Sequence, residues 1–226
     1  MAAVAVAACN AVQPAQTTYC NPLDMDYAYM VYNSDRNLSY RSGADPAVVE
    51  FRGEYYMFVT RSHGYWHSTD LVDWTFIRPK SIWYPQGCNA PAAHNYRDSL
   101  LYMTGDPSGE MSILYTDDPK SGVWEAVPAI LHDLQDPDLF IDDDGQAYMY
   151  WGNPDVYYVK LNEDMISTSG EIVKLPKQQH YQEGPWCYKR NGRYYMAFAS
   201  TCCPEGIGYA MSDSPTGPWT TMGYIM

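Results

Sequence analysis

The chain has 226 residues, enough for one domain with a sizeable core and too few for two comfortable ones. Hydrophobic residues make up 46%, which excludes a disordered chain. The 14 Lys and Arg against 27 Asp and Glu leave a net charge of -13, a surface that repels nucleic acid and anionic lipid headgroups but not a neutral polymer.

The chain opens on a small, apolar run, Met1 to Cys9. Within it Val6-Ala7-Ala8-Cys9 has the pattern of small residues that precedes a lipidated cysteine at the end of a bacterial export signal, here without a basic stretch before it. Residues 1–19 are therefore expected to be a shortened signal and an Ala, Gln and Thr-rich tether, with Cys9 as a lipid anchor. The protein is expected to be exported: secreted, periplasmic or held at the cell surface. The run is too short to span a bilayer, and no other segment comes close. The six cysteines (9, 20, 88, 187, 202 and 203) show neither a CxxC nor a Cys/His zinc spacing.

From residue 20 onward the chain repeats itself. Ala44-Asp45-Pro46, Asn89-Ala90-Pro91, Gln135-Asp136-Pro137 and Glu183-Gly184-Pro185 each open a stretch of β-branched and aromatic residues, with the four prolines 45, 46 and 48 residues apart. Arg52-Gly53, Asp144-Gly145 and Asn191-Gly192 sit where a tight hairpin turn is needed. A third strand, a turn around Asp70, Asp117 or Asp213, and a fourth strand begun by Trp74, Trp124 or Trp219 follow in three copies. The third copy shows only the strand from Val156 to Leu161. Four strands per repeat of this length predict an all-β β-propeller with about four blades in this chain. Trp74, Trp124 and Trp219 are expected in the core, and the Asp142-Asp143-Asp144 run is expected to be a turn, since it lacks EF-hand ligand spacing.

The first strand of each propeller blade lines the central channel, so equivalent positions ring one mouth. At that position the repeats carry Asp45, the neutral Asn89-Ala90, Asp136 and Glu183, with a one-residue slip at the fourth copy. A single acid before a proline is an ordinary turn residue. Three acids at the same point of the repeat, with no basic residue beside them, raise one another's pKa and point to use. Acid–base catalysis is one use, and a calcium ion held in the channel is the other. Trp66 and Trp151 are candidate sugar-stacking residues, with blade-to-blade packing the alternative for both, and Asn89 is a candidate substrate contact.

The Asp of Ala44-Asp45-Pro46, the first Asp of Asp136-Pro137-Asp138-Leu139-Phe140 and the Glu of Glu183-Gly184-Pro185 resemble the three signatures of glycoside hydrolase family 43. The surrounding sequence is similar to that family over about residues 20 to 226. The resemblance implies a five-bladed propeller that cleaves a glycosidic bond with inversion and requires no cofactor. Asp45 would be the general base that activates water and Glu183 the general acid that protonates the leaving oxygen. Asp136 would hold Glu183 and raise its pKa so that it stays protonated near neutrality. An inverting pair stands roughly 6.5–9.5 Å apart to admit the water, which two walls of one channel can supply. The substrate class implied is a plant-type poly- or oligosaccharide carrying α-L-arabinofuranosyl or β-D-xylosyl residues.

Two departures from the family pattern follow. The second-blade site reads Asn89-Ala90-Pro91-Ala92 where the family carries Trp-Ala-Pro-Asp, and four blades are counted where the family has five. Residues 20–226 are therefore expected to be a C-terminally incomplete catalytic domain. The alternatives are a non-catalytic carbohydrate-binding propeller and a related sugar phosphorylase, for which Arg41 and Arg61 are the nearest phosphate ligands.

Overall fold

The computed structural model describes residues 25–27, 31–33, 38–39, 43–83, 89–106, 111–131, 135–201 and 205–225. Cys9, Cys20, Arg41, Cys88, Cys202 and Cys203 lie outside these residues, as does the expected signal and tether. A two-stranded ribbon, β1 (Val31–Asn33) with β2 (Leu38–Ser39), precedes four antiparallel four-stranded sheets. The first blade is β3 (Ala47–Phe51), β4 (Glu54–Phe58), β5 (Tyr65–Ser68) and β6 (Thr75–Ile77). The second is β7 (Asn89–Tyr96), β8 (Leu100–Asp106), β9 (Met111–Thr116) and β10 (Glu125–Leu131). The third is β11 (Asp138–Ile141), β12 (Ala147–Trp151), β13 (Tyr157–Leu161) and β14 (Thr168–Lys174). The fourth is β15 (Tyr181–Arg190), β16 (Arg193–Ser200), β17 (Gly206–Ser212) and β18 (Thr220–Tyr224). In every blade the strands pair in sequence order, the up-and-down pattern that the repeat predicts. The only helical turn among the described residues is the 3₁₀ segment Pro119–Ser121.

Turn chemistry sets the register. Arg52 and Gly53 both take positive φ (54° and 78°), as do Asn191 and Gly192 (52° and 74°), giving the two-residue loops whose twist matches antiparallel strands. The third blade uses a five-residue loop, Asp142 to Gln146, between Ile141 and Ala147. Its acids are met by protein: Lys189 Nζ lies 2.6 Å from Asp142 and 2.8 Å from Asp143. The sequence missed the fourth strand of the third blade. β14 is an exposed outer strand with Ile172 and Val173 facing solvent, so it carries no buried alternation to read.

The core lies between blades. Phe51, Tyr56, Phe58 and Tyr65 of the first blade pack against Leu101, Met103, Leu114 and Trp124 of the second. Tyr102 and Ile113 of the second meet Ala147, Met149 and Trp151 of the third. Tyr148 and Tyr150, on the opposite face of the same strand, meet Cys187, Met196 and Phe198 of the fourth. All five residues of β12 are buried because its blade is covered on both faces, and alternation then divides its side chains between two clusters. Trp124 and Trp219 are buried as expected, at 2% and 8% exposure. Trp74 is only half-buried and rests on its own turn, its indole N–H donating to the Leu71 carbonyl.

Candidate active site

The residue before each repeat proline has a left-handed backbone: φ is 50° at Asp45, 41° at Ala90, 51° at Asp136 and 65° at Gly184. Three of these carry a Cβ, for which that region is uncommon and strained. All four line one cavity of about 650 Å³, together with Glu183, Pro185 and Trp186. The slip seen in the sequence thus has a structural cause. In the fourth blade glycine fills the left-handed slot, and the acid is the longer Glu one residue earlier. In the second blade the slot residue is Ala90, so Asn89 stands one place outside it.

Asp45 is exposed to the cavity, and its Oδ2 accepts a 2.7 Å hydrogen bond from the Thr60 hydroxyl. That hydroxyl in turn accepts the Ala90 N–H at 2.8 Å, so one buried threonine ties the first slot to the second. Glu183 is half-buried, and its Oε2 accepts from Asn153 Nδ2 at 2.6 Å and, more weakly, from Gln135 Nε2 at 3.5 Å. Two hydrogen bonds to the Gly152 backbone hold this corner: its N–H donates to the Gln135 carbonyl at 2.8 Å, and its carbonyl accepts from the Tyr181 hydroxyl at 2.7 Å. Asp138, two residues beyond Asp136, also lines the cavity. Its Oδ2 accepts the Cys187 N–H at 2.8 Å, joining β11 to β15 just past Glu183. Burial pushes the Asp138 carboxyl up to about 7, against the opposing pull of the Cys187 and Leu139 N–H groups.

The three expected carboxylates therefore share one cavity, contributed by the first, third and fourth blades. The other candidates stand elsewhere. Trp66 is 1% exposed, with Tyr27 and Phe76 rings 5.2 and 5.0 Å away and its indole N–H on the Asp26 carbonyl, so no face remains for a sugar. Trp151 is 5% exposed, stacked on Tyr157 at 5.9 Å within the core between the second and third blades. Asn89 accepts from Arg61 Nε at 3.2 Å and does not line the cavity. Both tryptophans are corrected from candidate sugar platforms to core: aromatic residues at strand positions serve packing first when their blade is covered on both sides. The aromatic that does face the cavity is Trp186, 56% exposed, whose ring stands 4.8 Å from Tyr188. Its place directly after Glu183-Gly184-Pro185 was the available signal. Thr60 and Asn153 gave none, since neither recurs in the repeat.

Glycosyl hydrolases family 43 is the family model that this sequence matches, over residues 38–225. The chain belongs to that family. Among its family 43 relatives, beta-D-galactofuranosidase xynD of Aspergillus niger is 29% identical over 215 residues, covering 79% of this chain and 63% of that protein. An arabinoxylan arabinofuranohydrolase of Paenibacillus polymyxa is 24% identical, covering 86% and 41%. The solved structure of an alpha-L-arabinofuranosidase from Clostridium thermocellum superimposes with a TM-score of 0.69 at 26% identity, over 82% of this chain and 73% of that one. The chain thus spans between 41% and 63% of these two curated relatives. Measured against the expected metal alternative, no group of three or more His, Cys, Asp or Glu among the described residues is close enough to hold an ion.

Proposed function

We propose that this family 43 chain is an inverting glycoside hydrolase that removes furanosyl or xylosyl residues, α-L-arabinofuranosyl first among them, from a plant-type polysaccharide. The observation that carries the reading is the meeting of Asp45, Asp136 and Glu183, from three separate blades, in one cavity. Two relatives and one structural neighbour, a galactofuranosidase, an arabinofuranohydrolase and an arabinofuranosidase by name, favour a five-membered sugar ring.

In this mechanism Asp45, exposed and held by Thr60, takes a proton from the attacking water. Glu183 gives its proton to the leaving oxygen as the glycosidic bond breaks, and Asp136 orients it from the neighbouring blade. Trp186 offers the stacking face that Trp66 and Trp151 do not. Export with Cys9 as a lipid anchor belongs to the same proposal, supported by the Val6 to Cys9 pattern and by a polymeric substrate too large to enter a cell.

The test is release of 4-nitrophenol from its α-L-arabinofuranoside and β-D-xyloside. Glu183→Gln and Asp45→Asn should each lower kcat/KM by about 10²- to 10⁴-fold, the usual contribution of a positioned acid or base. Unchanged turnover in either variant would overturn the assignment.

A further inference from the structure

Resting on that reading of Glu183, we infer that Asn153 is a positioning residue that selects which carboxyl oxygen of Glu183 carries the catalytic proton. Asn153 follows β12, and its amide is oriented from both sides. Gln182 Nε2 donates to Asn153 Oδ1 at 3.3 Å, which leaves Nδ2 facing Glu183 Oε2 at 2.6 Å. An amide nitrogen can only donate. The Glu183 oxygen it meets is therefore an acceptor in both protonation states, and the proton of the acid form resides on Oε1.

The backbone makes the arrangement rigid. Gly152 has φ 127°, and a Cβ there would lie 2.0 Å from the Asp155 carbonyl oxygen, so the corner admits only glycine. The same Gly152 is bonded through its N–H to Gln135, beside Asp136, and through its carbonyl to Tyr181, two residues before Glu183. Asn153 thus moves with both acidic strands and with neither alone.

The chemistry gives this contact a direction. As the glycosidic C–O bond breaks, the Oε1 proton passes to the leaving oxygen, and the electron pair stays on Glu183 as a carboxylate. The Asn153 bond then changes from a neutral to a charge-assisted one, which is about twice as strong. Asn153 therefore favours the transition state over the ground state. Its contribution grows with the extent of proton transfer, which is greatest for a poor leaving group.

The experiment compares 4-nitrophenyl and methyl α-L-arabinofuranosides in the parent chain, Asn153→Ala, the isosteric Asn153→Asp and Glu183→Gln. Loss of the donor should lower kcat/KM for the methyl glycoside about 10- to 100-fold more than for the nitrophenyl one. Glu183→Gln should show the same asymmetry, larger. An equal loss on both substrates in the Asn153 variants, with the asymmetry present in Glu183→Gln, overturns the inference alone. Absence of the asymmetry in Glu183→Gln overturns the reading of Glu183 and the inference with it. A second measurement needs no turnover: the Asn153 side-chain amide resonances should shift and lose exchange protection in Glu183→Gln. Identical resonances in the two proteins would remove the contact on which the inference stands.

Discussion

Replacing Asp138 by Asn should make the protein's stability less dependent on pH. Asp138 is half-buried at the cavity wall, and its carboxyl is pushed up to about 7 from an ordinary 3.8, chiefly by desolvation. The folded protein therefore keeps the Asp138 proton between about pH 4 and 7, where the unfolded chain has already lost it. Folding binds a proton across that window, so stability falls as pH rises through it, by about 1.4 kcal/mol per pH unit and about 4 kcal/mol in all. Asparagine cannot ionise, and its Oδ1 can still accept the Cys187 N–H. Relative to the parent, Asp138→Asn should be neutral near pH 4 and gain about 2–3 kcal/mol between pH 5 and 7. His94 works in the opposite sense: burial lowers its pKa below 6.5, so its contribution to stability is lost as pH falls through that value. It is present in both proteins and cancels in the difference. Urea unfolding followed by tryptophan fluorescence at pH 4, 5, 6, 7 and 8 measures it. A stability difference that stays flat with pH would refute the argument.

Three other perturbations separate packing from function. Trp66→Ala should cost about 3–5 kcal/mol of stability, as for other buried aromatics, whereas the exposed Trp186→Ala should leave the thermal midpoint nearly unchanged and raise KM; the reverse pattern would undo the assignment of both residues. Thr60→Val keeps the shape of the side chain but strands the Ala90 N–H and frees Asp45; it should lose about 1–3 kcal/mol by chemical unfolding and lower kcat. Gly184→Ala meets no atom within 4 Å, so its cost isolates the left-handed backbone. About 1–2 kcal/mol is expected in thermal unfolding, and a neutral result would show that the slot tolerates a side chain.

The repeat made most of this fold legible. The prolines at 46, 91, 137 and 185, with the Gly-containing turns after them, located the blades because they recur at one spacing and a tight hairpin needs residues that accept positive φ. The same register brought Asp45, Asp136 and Glu183 to one mouth. What stayed hidden depends on which faces are covered. Trp66 and Trp151 are aromatic residues near the channel in sequence, but only the neighbouring Tyr27, Phe76 and Tyr157 rings decide that they pack inward. The exposed β14 offered no buried alternation. Asn153 and Thr60 act through contacts spanning 30 and 15 residues, and nothing local marks them. The sequence left the second-blade position to the pair Asn89-Ala90, and the backbone resolves it: the left-handed slot belongs to Ala90.

That slot has a consequence for how such a site can change. An L-residue held at positive φ disfavours its own backbone by roughly 1–2 kcal/mol, and the two slot acids, Asp45 and Asp136, both accept that penalty. The scaffold thus holds the backbone of its slot acids where a relaxed chain would not put it. Glycine at either position would give a sturdier and inert protein. Selection for durability and selection for turnover therefore pull against each other at the same two Cα atoms. The fourth blade escapes the conflict by yielding its slot to Gly184 and moving its acid one residue back.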